Sequence, residues 1–410
     1  MKKATLKMSK SKALRLILLF GLVSLFGDIV YEAARSINGQ YLQALGASVA
    51  IVGLVAGVGE FVGYSLRLLT GYFSDRTKAY WFFTILGYCL LASVPALALA
   101  GIWQLAAFFI IAERIGKAFR NPARDTLMSQ ATKRVGTGWG FAVHEFLDQL
   151  GALAGPLLIA VSFGLGAESK TLLDYQQAYS LLWIPFIFLT FFLLAAYFLY
   201  RNQKFEKRVK GKVESKIPAI FWSYLLFTFL TTLGFINFAI LGYHFKATGI
   251  LADAQIPLFY AAAMLFDAFF ALLIGRMYDM LKTKMKSGNA GLLLLIVIPV
   301  LTFAVPLLAF VQNVALILVG ILVWGAALGA HETIMRAVIA DIIPVSKRGS
   351  AYGVFTAAYG FATLLGSTLL GFLYQYGFPV LSVFVAVTQL LAIVVFTLVQ
   401  TGSKTTKRCR

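Results

Sequence analysis

The chain has 410 residues, of which 60% are hydrophobic and 13% are charged. This composition excludes an ordinary soluble domain and is typical of a protein that crosses a membrane many times. The net charge of +19 would suggest nucleic-acid binding in a soluble protein, but the apolar stretches leave no basic surface interleaved with aromatic residues. We therefore expect the lipid bilayer, and no nucleic acid, as a partner.

Twelve apolar stretches of membrane-spanning length follow one another along the chain, separated by short polar or Gly/Pro-containing breaks. A spanning helix needs about 20 mainly apolar residues. The predicted spans are 14–41, 49–72, 81–100, 103–120, 139–163, 178–200, 218–243, 256–277, 290–310, 314–340, 349–374 and 378–399. The sequence therefore predicts an all-α membrane protein with twelve transmembrane helices.

Lysine and arginine are concentrated in alternate loops. They fill the amino-terminal tail, the turns after the second, fourth, eighth and tenth spans, the central linker and the carboxyl-terminal tail. The opposite loops are nearly free of them, and the longest, 166–177, carries only Lys170. By the positive-inside rule, both termini are predicted to lie in the cytoplasm. The expected location is the cell membrane.

The first span carries three charged residues on one helical face. Asp28, Glu32 and Arg35 are spaced i, i+4 and i+7, and Asp28 lies near the middle of the span. Burial at that depth disfavours an unpaired carboxylate. We therefore predict Asp28 and Glu32 as proton-coupling residues. The alternative is a static ion-pair network in which they neutralise Arg114 and Lys117.

The second span contributes one acid in its middle and a charged motif at its end. Glu60 is a further proton-coupling candidate. The motif begins at Gly71, which allows a neighbouring helix to approach closely. It continues with Asp75, which can accept N–H bonds at a helix amino terminus, and Arg76. It is predicted to latch one conformational state. A plain charged turn at the membrane surface is the alternative.

The fourth span carries a run of charges inside its apolar segment, in the stretch ERIGKAFRNPARD that ends at Asp125. Glu113, Lys117, Arg120 and Arg124 recur at i, i+4, i+7 and i+11 and therefore share one helical face. Each charge opposes burial at the bilayer centre by roughly 2.5–3.5 kcal/mol. This face must meet a bundle interior, a water-filled cavity or opposite charges.

These charges have two candidate roles. Glu113 lies near mid-span and joins the proton-coupling candidates. The cationic candidates for substrate binding or ion pairing are Arg35, Arg114, Lys117 and Arg120. The cations nearest the cytoplasmic end could instead extend toward the membrane surface. The dipeptide Asn121-Pro122 is predicted to kink or end the helix.

The fifth span contains a cluster of His144, Glu145 and Asp148. Because His144 and Asp148 are one turn apart, they are weak candidates for a transition-metal site. No Cys or Met ligands are gathered nearby, so hydrogen-bonded polar residues inside a bundle are the favoured interpretation, and no metal is assigned. Glu145 and Asp148 are candidates for substrate binding or ion pairing.

Two sequence signals recur between the halves of the chain. The spacing Gly-x-x-x-Asp-x-x-Lys that begins at Gly71 recurs from Gly275 through Asp279 to Lys282. A second echo relates the turns after the fourth and tenth spans. Together these echoes indicate an internal duplication, which is typical of transporters built from repeats around a midplane site.

The duplication predicts two pseudo-symmetric six-helix bundles. They comprise residues 1–200 and 218–410, and the basic linker 201–217 joins them. Charge is sparse in the second bundle, where His331 and Glu332 on the tenth span are further candidates for substrate binding or ion pairing.

At these motifs the chain resembles the major facilitator superfamily of secondary transporters, over essentially its whole length. The superfamily's loop signature is Gly-x-x-x-Asp-(Arg/Lys)-x-Gly-(Arg/Lys)-(Arg/Lys). Here Lys78 replaces the second Gly and the final basic pair is absent. The run Gly151-Ala-Leu-Ala-Gly155-Pro156 is similar to the core of the superfamily's antiporter motif. The charged fourth span resembles that of bacterial and archaeal exporters, including drug-type and divalent-metal exporters.

The resemblance carries several implications. It implies that the first, fourth, seventh and tenth spans line a central cavity. It implies that the partner of Asp75 is the start of the eleventh span, near Gly349 to Gly353, with Arg76 available to Asp125. It also implies ion coupling in the first half and substrate contact in the second.

We therefore predict a secondary transporter, not an enzyme, that works by alternating access and exports a small solute such as a drug-like compound or a metal ion in exchange for protons. Uptake or exchange of an anionic solute held by Arg35, Lys117 and Arg120 is the first alternative. A receptor or membrane enzyme on the same scaffold is the second. No cofactor is expected, and the protein is expected to be a monomer.

Overall fold

The computed structural model describes residues 9–164, 169–202, 217–284, 290–344 and 347–408. Every regular element in these ranges is a helix, which confirms the predicted all-α fold. The first half contains α1 (Lys10–Ala44), α2 (Val49–Thr77), α3 (Tyr80–Cys89), α4 (Ser93–Ala96), α5 (Trp103–Val135), α6 (Thr137–Ser162), α7 (Leu172–Leu181) and α8 (Trp183–Tyr200). The second contains α9 (Ala219–Leu233), α10 (Phe238–Thr248), α11 (Gln255–Lys284), α12 (Val297–Ala309), α13 (Val314–Ile342), α14 (Arg348–Tyr374) and α15 (Phe378–Arg408). Linker residues 203–216 lie outside the described ranges.

Ten helical segments of the described chain are long and apolar enough to cross a membrane. The two other predicted spans are also helical. One corresponds to α5, whose run of charges lowers its hydropathy, and the other to the shorter apolar segment Leu293–Ala309. The protein is therefore a multi-pass membrane protein. Many large apolar side chains on its surface are exposed, among them Phe108 at 64% and Leu272 at 78%, as expected for positions that face lipid.

The expectation that Asn121-Pro122 could end the helix is wrong, because α5 continues through Pro122 to Val135. Proline removes one backbone hydrogen bond, but the rest of the helix is held by burial. Leu127 and Met128, beyond the proline, are fully buried in an apolar cluster with Phe20 of α1. Tertiary packing therefore overrides the local signal.

The predicted seventh span is broken in its middle. α9 ends at Leu233, α10 begins at Phe238, and the Asn237 side chain caps α10 by accepting a hydrogen bond from the Ala239 N–H at 3.0 Å. Gln389 Nε2 of α15 donates to the Thr231 carbonyl at 3.2 Å, which satisfies part of the exposed end of α9. Sequence reasoning missed this break, although glycine and asparagine, as at Gly234 and Asn237, are common where helices end or begin.

The chain folds into two compact units. The first comprises Met1–Ile37 and Val62–Lys210, and the second Asn38–Phe61 and Gly211–Arg410. The second unit therefore includes the end of α1 and the start of α2. Close backbone approaches within this unit explain the grouping: a Cβ built on Gly39 would lie 2.0 Å from the carbonyl oxygen of Ala239.

Candidate functional site

In the first unit, α1 and α6 pack with their backbones almost in contact. A Cβ built on Gly151 would lie 2.3 Å from the Leu25 carbonyl oxygen, and one built on Gly155 would lie 2.5 Å from that of Ile29. Only glycine allows such an approach. The motif that ends at Pro156, inside α6, is therefore the surface by which α6 contacts α1. We call this contact the glycine seam.

Two polar pairs bridge the glycine seam. Asp28 of α1 and Asp148 of α6 are direct electrostatic neighbours, and we call them the carboxyl pair. The second pair lies one turn closer to the amino-terminal ends of both helices. There, Ser24 Oγ and His144 Nε2 are 2.7 Å apart. The structure thus brings together Asp28 and Asp148, which lie far apart in sequence.

Helix α5 supplies cations to both pairs. Arg124 donates to Ser24 Oγ at 3.1 Å and forms an ion pair with Asp125 at 3.0 Å. Lys117 and Arg120 are electrostatic neighbours of Asp28. The charged face of α5 is therefore turned toward α1 and α6, where the acids offset its positive charge.

A further group of cations surrounds Tyr31 of α1. Lys117 Nζ lies 3.9 Å from the centre of the Tyr31 ring, Arg114 Cζ lies 4.8 Å from it, and Arg35 Cζ lies 5.4 Å from it. Arg114 also donates a hydrogen bond to the Tyr31 hydroxyl. The ring face attracts each cation, whereas the three cations repel one another. We call this group the Tyr31 cluster.

Two buried glutamates offset the charge of these cations. Glu32 Oε1 lies 3.4 Å from Arg35 Nη1, and Glu113 lies 3.2 Å from Arg120 and 3.5 Å from Arg114. Glu32 is 7% exposed and Glu113 is 4% exposed. Both glutamates therefore form ion pairs with arginines, whereas Asp28 lies beside another acid as well as beside Lys117 and Arg120.

Four predicted site residues lie elsewhere. Glu60 is half-buried and belongs to the second unit, while Glu145 is on the exposed side of α6. His331 and Glu332 belong to α13 in the second unit, where Glu332 is exposed. His331 is 2% exposed, and its ring centroid lies 5.2 Å from that of Phe235.

The gating motif at the end of α2 makes local contacts. Tyr80, the first residue of α3, donates its hydroxyl hydrogen to Asp75 at 2.9 Å, and Asp75 itself lies in the last turns of α2. A Cβ on Gly71 would make an ordinary contact with Pro122 at 3.6 Å. Asp125 pairs with Arg124 and not with Arg76. The expected partner, the segment from Gly349 to Gly353, belongs to the second unit, and this contact stays a prediction.

The repeated motif in the second unit makes a different contact. A Cβ on Gly275 would lie 3.4 Å from Thr333 of α13. Tyr278, next to Asp279, donates its hydroxyl hydrogen to Asp341 at 2.8 Å. In each unit, a tyrosine hydroxyl thus binds an aspartate near one end of the repeat motif.

Within the part of the chain that the structure describes, no group of three or more His, Cys, Asp or Glu side chains could hold a metal ion. His144 is directed to Ser24, and Asp148 to Asp28.

Sequence reasoning missed Ser24 and Tyr31 as site residues. Ser24 precedes Asp28 by four residues, so helical spacing places both on one face, but serine is common in membrane helices. No sequence pattern singled out Tyr31. Its contacts with the cations of α5 arise only when α5 packs against α1.

Comparison with known proteins gives consistent matches along the chain. The family model described as Major Facilitator Superfamily matches residues 17–327 and 251–408. An uncharacterized protein of Mycobacterium tuberculosis strain H37Rv is 42% identical over 93% of this chain and 92% of its own length. An uncharacterized MFS-type transporter of Methanocaldococcus jannaschii is 26% identical over 88% of each chain.

Solved structures share the fold at low sequence identity. A bacterial homolog of the human lysosomal transporter Spinster, in an inward-facing and occupied conformation, has a TM-score of 0.65 at 14% identity over 96% of each chain. The nucleoside transporter NupG has a TM-score of 0.68 at 13% identity over 94% of this chain and 98% of its own. At such identities, the likeness concerns the fold alone.

Proposed function

The chain belongs to the Major Facilitator Superfamily, and on this premise we propose that it is a proton-coupled antiporter that exports a small solute by alternating access. Its general activity is secondary transport and not enzymatic catalysis. The observation that supports proton coupling is the carboxyl pair, in which Asp28 and Asp148 face each other across the glycine seam. The proposed location is the cell membrane, with both termini in the cytoplasm.

The carboxyl pair is better suited to hold a proton than the buried glutamates are. Two ionised carboxylates side by side in low-dielectric surroundings repel each other strongly, and one shared proton removes that repulsion. Glu113, in contrast, contacts Arg114 and Arg120, which stabilise its charged form. The exchangeable proton is therefore assigned to the carboxyl pair, and Glu32 and Glu113 to fixed ion pairs.

Protonation of the carboxyl pair changes the charge that α1 and α6 present to α5. With one shared proton, the pair offers one negative charge to Lys117, Arg120 and Arg124, and without it the pair offers two. The attraction that holds α5 against the seam therefore depends on protonation. This dependence couples proton binding to helix packing, as a transporter that alternates between two states requires.

The test is substrate-evoked proton flux in proteoliposomes of the purified protein that contain a pH-sensitive dye. Cationic drugs, divalent metals and organic anions are added in turn. We expect at least one compound to evoke a pH change that is lost in both Asp28→Asn and Asp148→Asn. Glu145→Gln is the matched control, because it removes an acid from the exposed side of α6 and should leave the change intact.

Two outcomes would reject proton coupling. One is a panel in which compounds cross the membrane without any pH change. The other is a pH change that persists in both aspartate variants, since the carboxyl pair would then not carry the proton.

Export is the proposed direction, because the glycine seam is formed by a run similar to the antiporter core. The proposed substrates are drug-like compounds or metal ions. In inside-out membrane vesicles, an exporter should accumulate its substrate in the lumen when the lumen is acidic. Accumulation only in right-side-out vesicles would indicate uptake instead.

A second candidate function is uptake or exchange of an anionic solute, which the Tyr31 cluster favours. Lys117 Nζ lies 3.9 Å from the centre of the Tyr31 ring, and its charged neighbours are Arg114 and Arg35 as well as Glu32 and Glu113. An incoming carboxylate or phosphate would offset the repulsion among the three cations. Anion-evoked transport that is lost in Lys117→Gln but kept in Asp28→Asn would favour this function.

A further inference from the structure

The second polar pair of the glycine seam is a hydrogen-bonded unit that the carboxyl pair alone does not require. Ser24 and His144 are 2% and 5% exposed, and their side chains are 2.7 Å apart. Arg124 of α5 contacts the same serine oxygen at 3.1 Å. Three helices thus place a hydroxyl, an imidazole and a guanidinium together in the interior of the first unit.

The donors and acceptors of this unit define its protonation. The arginine can only donate, so Ser24 Oγ accepts from Arg124. The serine retains its own O–H, which can donate to His144 Nε2, and the imidazole then carries its proton on Nδ1. A positive charge on His144 would lie close to the Arg124 guanidinium and be repelled by it. The resting imidazole is therefore neutral and its Nε2 is an acceptor.

The unit lies directly next to the carboxyl pair. Ser24 precedes Asp28 by four residues, and His144 precedes Asp148 by four, so each lies about one helical turn, or about 5.4 Å, from the acid on its own helix. Arg124 of α5 is the charged group that acts on His144, while Asp148 and Asp28 follow His144 and Ser24 by four residues on their own helices. The amino-terminal ends of α1 and α6 are the ends predicted to be cytoplasmic.

We propose that His144 and the Ser24 hydroxyl relay protons between the carboxyl pair and the cytoplasmic ends of α1 and α6, with Arg124 as a positioning residue. This inference rests on the proposed proton coupling. The carboxyl pair releases a proton to the Ser24 oxygen as the serine hydroxyl gives its own proton to His144 Nε2. The imidazolium keeps its Nδ1 proton, rotates and releases the Nε2 proton toward the cytoplasmic side. The neutral ring then rotates back to its starting position. One proton moves, and no electrons are transferred.

In this scheme, the positive charge of Arg124 also limits passive proton leak through His144. This charge makes the imidazolium short-lived, so protons pass only when the carboxyl pair supplies them. Replacing Arg124 by glutamine should therefore raise the passive proton leak of proteoliposomes in the absence of substrate. An unchanged leak in a folded Arg124→Gln protein would contradict this part of the relay.

The main test compares two activities of the same proteoliposomes. Substrate-evoked proton flux requires the relay, whereas solute-for-solute exchange without a pH gradient does not. For His144→Gln we expect proton flux to fall by about 100-fold, the lower end of what a positioned proton-transfer group contributes, with exchange retained. In His144→Ala, added imidazole should restore part of the proton flux, which a purely structural role would not allow.

Ser36→Ala is the matched control for Ser24→Ala. Ser36 lies on α1 and is 1% exposed, but its hydroxyl donates to the Ala33 carbonyl of its own helix. We expect Ser24→Ala to reduce proton flux and shift its pH profile, and Ser36→Ala to leave both unchanged.

The relay and the proposed function fail in distinguishable ways. A wild-type protein that evokes no proton flux with any transported solute rejects the proposed function itself. Wild-type flux that His144→Gln leaves unchanged at every pH rejects the relay alone. Equal loss of exchange and proton flux in His144→Gln, without rescue of His144→Ala by imidazole, also rejects the relay, because it indicates a structural role.

Discussion

At Lys78, the backbone adopts φ = 61°, a left-handed conformation that a residue with a Cβ enters at a cost of about 1–2 kcal/mol. This is the position where the related loop signature has glycine. The turn therefore keeps the glycine conformation although the glycine is absent. The Lys78 ammonium donates to the Tyr80 hydroxyl at 3.3 Å, which offsets part of that cost.

We expect Lys78→Gly to stabilise the protein by about 0.5–1 kcal/mol, because relief of the strain exceeds the greater chain entropy of glycine and the lost hydrogen bond. Thermal unfolding of purified protein in detergent measures the effect. Lys78→Ala is the control, since it removes the ammonium but keeps the Cβ, and it should not stabilise. Equal stability of both variants would contradict strain at this position.

Glu113 offers a second prediction at the scale of a single residue. It is 4% exposed and contacts Arg114 and Arg120, which are 7% and 4% exposed. Glu113→Gln leaves both arginines without their carboxylate, and removing one partner of a buried ion pair costs about 3–5 kcal/mol. We expect a large loss of thermal stability, with substrate-evoked proton flux retained in the protein that folds.

Glu145→Gln serves as the control for Glu113→Gln, because Glu145 is exposed and should tolerate the change. If Glu113→Gln loses proton flux without losing stability, Glu113 and not the carboxyl pair carries the exchangeable proton.

The roles of individual acids could be predicted only in part. Spacing along α1 and α5 showed which charges share a face, because helical periodicity is a local property. It could not show that Glu32 meets Arg35 whereas Asp28 meets Asp148, since the second contact joins helices 120 residues apart in sequence. From the sequence alone, ion pairing and proton carriage are therefore alternatives for each of these acids.

At the scale of helices, the glycine seam explains how the carboxyl pair is assembled. The Cβ of Asp28 lies 3.0 Å from where a Gly151 Cβ would be, so any side chain there displaces the acid as well as the backbone of α1. We expect Gly151→Ala to destabilise the protein by about 1–3 kcal/mol, the usual range for overpacking, and to abolish substrate-evoked proton flux.

Gly63→Ala is the matched control for Gly151→Ala. A Cβ on Gly63 would make an ordinary contact at 3.6 Å with the Arg114 carbonyl oxygen of α5. Stability and flux should therefore be close to wild type. Equal behaviour of the two alanine variants, in unfolding and flux assays, would show that the close approach of α1 and α6 is not required.

Helix boundaries show where local signals fail. Pro122 and Gly234 are both helix-disrupting residues, yet α5 continues through the first whereas the predicted seventh span breaks at the second. The difference lies in the surroundings. The chain beyond Pro122 is buried on one side in an apolar cluster, while the end of α9 finds a partner in Gln389 of α15. Neither neighbour is visible in a local window of sequence.

At the scale of the whole molecule, composition and loop charge were sufficient to predict a multi-pass helical membrane protein. The bilayer requires apolar helices that satisfy their own backbone hydrogen bonds, and it favours basic residues in the loops on one side. The sequence did not predict which residues belong to each of the two compact units. α1 is divided between the units after Ile37 and α2 after Phe61, and this division depends on backbone contacts such as that of Gly39 with Ala239. A duplication in sequence does not specify which helix ends pack together in a given state.

The division of α1 and α2 predicts that the segment 38–61 must change its partners during transport. In the second unit, the Phe61 ring contacts the Phe361 ring of α14, with centroids 6.2 Å apart, and a Cβ on Gly57 would lie 3.0 Å from the Leu364 Cα. If alternating access rocks the two halves, this contact must open once in every cycle. A covalent link between the two positions should therefore stop transport.

We expect the double variant Phe61→Cys with Phe361→Cys, in a Cys89→Ser and Cys409→Ser background, to lose solute transport after treatment with a short reducible thiol crosslinker and to regain it after reduction. Each single-cysteine variant receives the same treatment as a control, because monovalent labelling should leave transport largely intact. Crosslinked protein that transports at the untreated rate would mean that the segment 38–61 stays attached to α14 throughout the cycle. The moving boundary would then have to lie elsewhere in α1 and α2.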